Sequence, residues 1–415
     1  MANSLAFWVE DLKSGEESRH ELKQELGSDS EDRVDIGQTS PSSAEDSIEE
    51  NQHSLSNRNP NVELHFNYWL LKAKSTGNFK KDLDIKYLDI GVRLKNINDF
   101  SSVNIYVPFE FSNIKYHADL GEKICKDQEL VAAVFNAPVI ETRSDPLDMT
   151  YCDFTFFNES EQIRFHTNIL ERQSGMSDGV EVTRFANTRG TILKFPQDIF
   201  QLDGKADIYF RFRLEISPSE ITSISRIYNP KFWALTNAFE KTELVDFRVN
   251  EIRNLPKTIG NHIVNKSYVS KIHFFLIRDG KSEFKAAHDS YKRCRILESN
   301  LWDKYLGLEN HIIDDEMLIY HWKDQANAGK YLDHFSAFAK YTKRDINSIE
   351  ILVLFIILVV VGALSGWFGN LLWAAWHPSI NEASSQTTSC SIGATTSPPA
   401  SSVKNISKGA SNEAE

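Results

Sequence analysis

Apolar residues recur with period two through much of the chain. Val62, Leu64, Phe66, Tyr68 and Leu70 alternate with mostly polar neighbours, as do Leu88, Ile90, Val92 and Leu94, and then Val103, Ile105 and Val107. Successive side chains of a strand point to opposite faces, so this spacing predicts half-buried strands. Further strands are predicted over 150–157, 162–169, 191–195, 208–216, 244–252 and 272–277, with short helical patches over 126–135 and 231–240. A parallel α/β sheet would need a crossover helix after each strand, and these are missing. The expected fold is therefore mixed and mainly β: a sandwich-like domain over 61–280, or two small β-rich subdomains.

After Gly280 the period changes. Phe284, Ala287, Tyr291, Cys294, Leu297, Leu301, Tyr305 and Leu308 step by three or four, which predicts an amphipathic helix of about seven turns. Two more helices are expected over 312–322 and 331–341, making 281–345 a juxtamembrane helical region. Glu298 breaks a strict heptad, which favours packing within one chain over a coiled coil.

A third regime follows. From Ile351 to Val361 every residue is strongly apolar, and no charge appears before His377. About 20 such residues at 1.5 Å each cross a hydrocarbon core of about 30 Å, so 349–376 is expected to be a single transmembrane helix in the lipid bilayer. Lys330, Lys340, Lys343 and Arg344 precede it, and no Lys or Arg follows until Lys404. Positive charge stays inside, so the N-terminal part is expected to be cytoplasmic, with the inner membrane of a cell as the expected location. Lys343 and Arg344 on one side, and Trp367, Trp373 and Trp376 on the other, are the expected interfacial anchors. Gly362 and Gly366 form a G-x-x-x-G pair with Gly369 a turn further on, a spacing that lets two helices approach closely in lipid. A homo-oligomer is expected from it.

Both ends look different from the middle. Residues 1–60 are acidic and poor in apolar residues, and are expected to be disordered. One exception is Leu5, Trp8, Val9 and Leu12, whose spacing predicts a short amphipathic helix with Ser4 as N-cap. Residues 377–415 are rich in Ser, Thr, Ala and Pro and are also expected to be disordered. Their Asn405-Ile406-Ser407 sequon has meaning only for a lumenal eukaryotic tail. Charge follows the same division. Of a net −12, residues 1–60 carry −9 and the tail −1, which leaves the body nearly neutral. That argues against nucleic-acid binding through bulk charge. Cys125, Cys152, Cys294 and Cys390 fit neither a zinc motif nor a disulfide framework, and no signal peptide opens the chain.

Three polar groups are candidates for chemistry. Glu309, His311, Asp314, Asp315, Glu316, His321, Asp324, Asp333 and His334 include helical i, i+4 pairs such as His311 with Asp315. Such pairs can ligate a metal, though a solvated helix face accounts for them as well. Asp279, Glu283 and Lys285 resemble the skeleton of a metal-dependent nuclease, but Asp279-Gly280 also reads as a turn. Asp145, Asp148 and Asp153 fit a turn entering a strand. No phosphate-cradling or nucleophile-elbow motif occurs, so no cofactor and no catalytic residue is expected. The leading expectation is a membrane-anchored, non-enzymatic interaction or sensor protein whose head binds an unknown protein or ligand and which signals by self-association. The alternatives are a membrane-acting effector of bacterial cell suicide or antiviral defence, and a membrane-tethered metal-dependent hydrolase.

Overall fold

The computed structural model describes residues 4–11, 61–73, 83–95, 100–144, 150–157, 162–167, 169–171, 179–184, 189–200, 206–228, 240–264, 266–287, 291–307, 317–344 and 348–376. They form eighteen strands: β1 (Ala6–Asp11), β2 (Asn61–Ala73), β3 (Leu83–Lys95), β4 (Phe100–Val107), β5 (Ile114–His117), β6 (Val139–Ser144), β7 (Tyr151–Phe156), β8 (Gln162–His166), β9 (Glu181–Arg184), β10 (Thr191–Pro196), β11 (Ala206–Ile216), β12 (Ser225–Tyr228), β13 (Glu240–Val249), β14 (Val269–Asp279), β15 (Glu283–Ala287), β16 (Arg293–Ile296), β17 (Met317–Gln325) and β18 (Phe335–Arg344). Five α-helices accompany them: α1 (Leu120–Cys125), α2 (Gln128–Phe135), α3 (Lys257–Ile263), α4 (Ser299–Leu306) and α5 (Ser348–Trp376).

A ten-stranded sheet forms the middle layer, in the order β16-β17-β14-β2-β3-β11-β8-β7-β6, with β5 also on β11. Most neighbours are antiparallel, but β2 pairs β14 and β8 pairs β11 in parallel. Val62, Leu64, Phe66 and Tyr68 face one core, joined there by Ile90, Val92, Phe210 and Phe212. Two smaller sheets cover that face. One is β1-β4-β10-β9, and the other is β12-β13-β18-β15. Phe195 meets Phe210, and Phe247 stacks on Phe274 at 4.2 Å, so each small sheet inserts aromatics into the shared core. On the opposite face Trp69, Tyr87, Phe154, Phe165 and Tyr209 pack under α1, α2 and α4. The result is two small sheets, a large sheet and a partial helical layer. The described residues up to Arg344 belong to one compact unit, and α5 belongs to a second.

Two expectations are corrected. The N-terminal amphipathic helix is the strand β1, which pairs antiparallel with β4. Phe7 and Val9 enter the main core, while Ala6 and Trp8 turn to α3, where Trp8 stacks on His262. A strand buried on both faces is apolar throughout and does not alternate, so its spacing fits a helix equally well. Residues 4–11 are therefore part of the fold; 12–60 lie outside the described residues, as do 377–415 and nearly all of 231–240.

The helical region at 281–345 is mostly β. Among the described residues only α4 is helical within the expected seven-turn helix, preceded by β15 and β16; where helices were expected near 312–322 and 331–341, the described residues form β17 and β18. In β17, Leu318, Tyr320 and Trp322 face one core while Met317 and Ile319 face the other. Burial on both sides again hid period two. In β18 the inward positions Phe335, Ala337, Ala339 and Tyr341 do alternate, but two of them are small.

Candidate functional site

Buried charge on the helix-side face of the large sheet begins with one dipeptide spacing. Glu63 and His65 are two apart on β2, so their side chains leave the same face. The parallel register places Lys271 of β14 beside Glu63 and His273 beside His65. β17 then adds His321 opposite Phe275. On the other flank β3 sets Gly91 beside His65, and β11 sets Arg211 beside Gly91. Strands from distant parts of the chain thus supply one cluster.

Its geometry is tight. His65 Nε2 lies 3.2 Å and His273 Nε2 3.4 Å from the same oxygen, Glu63 Oε1. Lys271 Nζ is 2.9 Å from that oxygen as well. The second nitrogen of each imidazole is also engaged. His65 Nδ1 is 3.3 Å from Tyr209 Oη, which accepts from Arg211 Nη1 at 3.0 Å, and His273 Nδ1 is 2.9 Å from His321 Nε2. His321 is itself stacked on His273 and on Phe275.

Burial would raise Glu63, but the His273 and His65 side chains and the Lys271 ammonium outweigh it and hold the carboxyl below the usual carboxylate range. Burial pushes His65 down to about 4 against the pull of Glu63. Burial, aided by neighbouring positive groups, takes His321 down to about 3. At neutral pH the site therefore presents an ionised carboxylate beside the uncharged imidazoles of His65 and His321. That is the chemistry of a cation-binding set, not of a general acid.

Gly91 makes the arrangement possible. A Cβ there would lie 2.3 Å from Tyr209 Oη and 3.4 Å from Arg211 Nη1. Gly91→Ala is expected to displace Tyr209 and to destabilise by about 1–3 kcal/mol, although alanine is intrinsically the better strand residue. Tyr209→Phe in the same chain should restore part of the loss, since it removes the crowded oxygen. Denaturant midpoints of the single and double variants check this; an unchanged Gly91→Ala midpoint would contradict it.

The residues singled out from the sequence fall elsewhere, with one exception. His321 belongs to the cluster, but through its place on β17 and not through a helical i, i+4 pair. Glu309, His311, Asp314, Asp315 and Glu316 lie outside the described residues, and so do Asp145 and Asp148. Asp153 is held by Arg164 through two hydrogen bonds of 2.8 and 2.9 Å. Asp279 accepts the Lys281 N–H at 2.8 Å and pairs with Lys343, while Glu283 pairs with Lys285 across 2.7 Å. The Asp279–Lys281 bond lies in the turn between β14 and β15. Lys343 is thus bound within the head, and Arg344 ends β18. Gly362, Gly366, Gly369, Trp367, Trp373 and Trp376 all lie on α5. A Cβ on any of the three glycines would meet no atom within 4 Å, and the three tryptophans are exposed.

A concavity lies on the β12-β13-β18 sheet, away from this cluster, lined in part by Arg226, Arg248 and Arg253. Arg248 is paired with Asp246 and Arg253 with Glu251, so two of its three cations are already neutralised. The histidine cluster has the stronger chemistry. Glu63, His65, His273 and Tyr209 stand in no sequence motif that marks them as a site. The one local signal was Glu-x-His at polar positions of a strong strand. No protein-family model and no curated protein matches this sequence, so the cluster is read from its own residues and geometry.

Proposed function

We propose that this protein is a membrane-tethered interaction protein whose β-rich head binds a ligand or partner and whose anchor self-associates. The observation that carries the reading is α5. Its apolar stretch Ile351–Trp376 runs 26 residues, about 39 Å at helical rise, and none of its hydrophobic window is buried. A core helix of that length would bury its side chains. The one serine of that stretch, Ser365, returns its hydroxyl to the carbonyls of Val361 and Gly362 at 2.8 and 2.9 Å, which suits a helix surrounded by lipid. The open faces of Gly362, Gly366 and Gly369 support close helix pairing. The basic residues before α5 support a cytoplasmic head in the inner membrane of a cell.

Alkaline carbonate should leave the full chain in the membrane pellet and release a chain ending at residue 345. Release of the full chain would end the reading. Gly362→Ile together with Gly366→Ile fills the groove and raises hydrophobicity, so insertion should persist. Cross-linking through a cysteine beside Gly366 should fall roughly three- to tenfold, the range that helix-packing energies of about 0.6–1.4 kcal/mol imply. Undiminished cross-linking would show that the glycines are incidental.

A further inference from the structure

We infer that Glu63, His65 and His273 form a binding site for one divalent transition-metal ion of the zinc type. The three ligand atoms lie within 4.8 Å of one another. Two donors each 2.0–2.1 Å from a tetrahedral ion are about 3.3 Å apart. The separations of Glu63 Oε1 from His65 Nε2 and His273 Nε2 are 3.2 and 3.4 Å. A small adjustment would bring the three atoms around one centre.

The outer shell suits a metal as well. A ligating imidazole must present a lone pair, and its other nitrogen then donates to a fixed partner. Tyr209 Oη stands at His65 Nδ1 and His321 Nε2 at His273 Nδ1, so both acceptors are in place. With its proton on Nδ1, His273 turns a bare Nε2 toward Glu63. That buried nitrogen makes no hydrogen bond. An ion between the two groups satisfies both.

The donor set selects the class of ion. Two imidazoles and one carboxylate, with no thiolate, suit zinc and its first-row neighbours, whereas magnesium and calcium require oxygen. Three protein ligands leave a fourth position open to water or a small ligand. Side-chain exposures of 10, 10 and 16% leave the ligands within reach of solvent. Lys271, 27% exposed, occupies the same carboxylate oxygen, so metal entry must turn its ammonium away. Metal binding at this site requires neither the anchor nor self-association.

The test uses the purified full chain in detergent, stripped with chelator and titrated with zinc(II), then with cobalt(II) as a spectroscopic stand-in. One equivalent of zinc, a raised Tm and the visible bands of tetrahedral cobalt are expected. His273→Gln should abolish all three, and Tyr209→Phe should weaken zinc binding about 10–100-fold. No stoichiometric zinc in the unaltered chain, or equal binding by His273→Gln, would overturn the site. Where His273→Gln fails to fold, Lys271→Met decides. It removes only the competing ammonium, so tighter zinc binding supports the site and unchanged affinity overturns it.

Discussion

Replacing Asp89 by alanine is expected to remove about 3–5 kcal/mol from the stability of the head, because it leaves a buried guanidinium without its counter-charge. Asp89 is fully buried and Arg213 is 4% exposed. Arg213 donates to Asp89 from Nε at 2.6 Å and Nη2 at 3.1 Å. Trp69 Nε1 and Tyr305 Oη each donate at 2.7 Å. The carboxylate therefore joins β2, β3, β11 and α4 at one point, and Arg213 also reaches the Leu306 carbonyl at the end of α4. The guanidinium sits between the Tyr87 and Tyr305 rings. Asp89→Asn preserves the shape but sets an N–H against the guanidinium, so most of the loss should remain. Arg143→Ala is the counterpart at the surface. Its pair with Glu141 is 69 and 49% exposed and screened by solvent, so its loss should leave the unfolding midpoint nearly unchanged. Denaturant unfolding of the full chain in detergent separates the two cases. An Asp89→Ala effect no larger than that of Arg143→Ala would mean the network contributes little.

The second large effect is expected at the N-terminus. A chain beginning at residue 12 loses Leu5, Phe7, Trp8 and Val9, all at most 2% exposed. At about 1.5–3 kcal/mol each, their burial contributes roughly 6–12 kcal/mol, comparable to the whole stability of a typical domain. Backbone contacts go too. The Leu5 N–H donates to the Arg248 carbonyl, Asn250 returns a bond to Leu5, and Val9 N–H reaches the Lys266 carbonyl. Asn250, held at φ +56°, also accepts the Phe7 N–H on its side chain. No cooperative thermal transition is expected from the shortened chain. A transition within a few degrees of the intact protein would show that β1 is an accessory strand. Residues 4–11 thus depart from the disorder expected of residues 1–60.

What could be read from the sequence depended on whether a residue's two neighbours lie in different environments. Val62 to Leu70 alternate because one face of β2 meets the apolar core and the other carries Glu63, His65 and Asn67. The pattern was plain. α5 was equally legible, since an apolar run of that length carries no polar face to turn toward water. β1 and β17 have apolar cores on both sides, which removes the alternation. The helical spacing from Phe284 to Tyr305 is coincidental, since it runs across β15, β16 and α4. The histidine cluster was hidden for another reason. Glu63 and His65 are local neighbours, but His273 and His321 reach them only through the registers of β14 and β17. Those registers are tertiary facts, and no short window contains them.

The parallel pairing of β2 with β14 has a consequence for synthesis. Val62 and its partner Val269 are about 200 residues apart. On a ribosome adding 5–20 residues per second, β2 waits roughly 10–40 s for the strand that will cover its second edge. Its first edge is taken earlier by β3, which follows within the same hairpin. Through that interval a long apolar strand with free N–H and C=O groups faces water, the form most prone to pair with another chain. Slow-growing nascent chains should therefore lean on chaperones more than the finished head does, and slowing translation between 95 and 269 should lower the yield of folded protein.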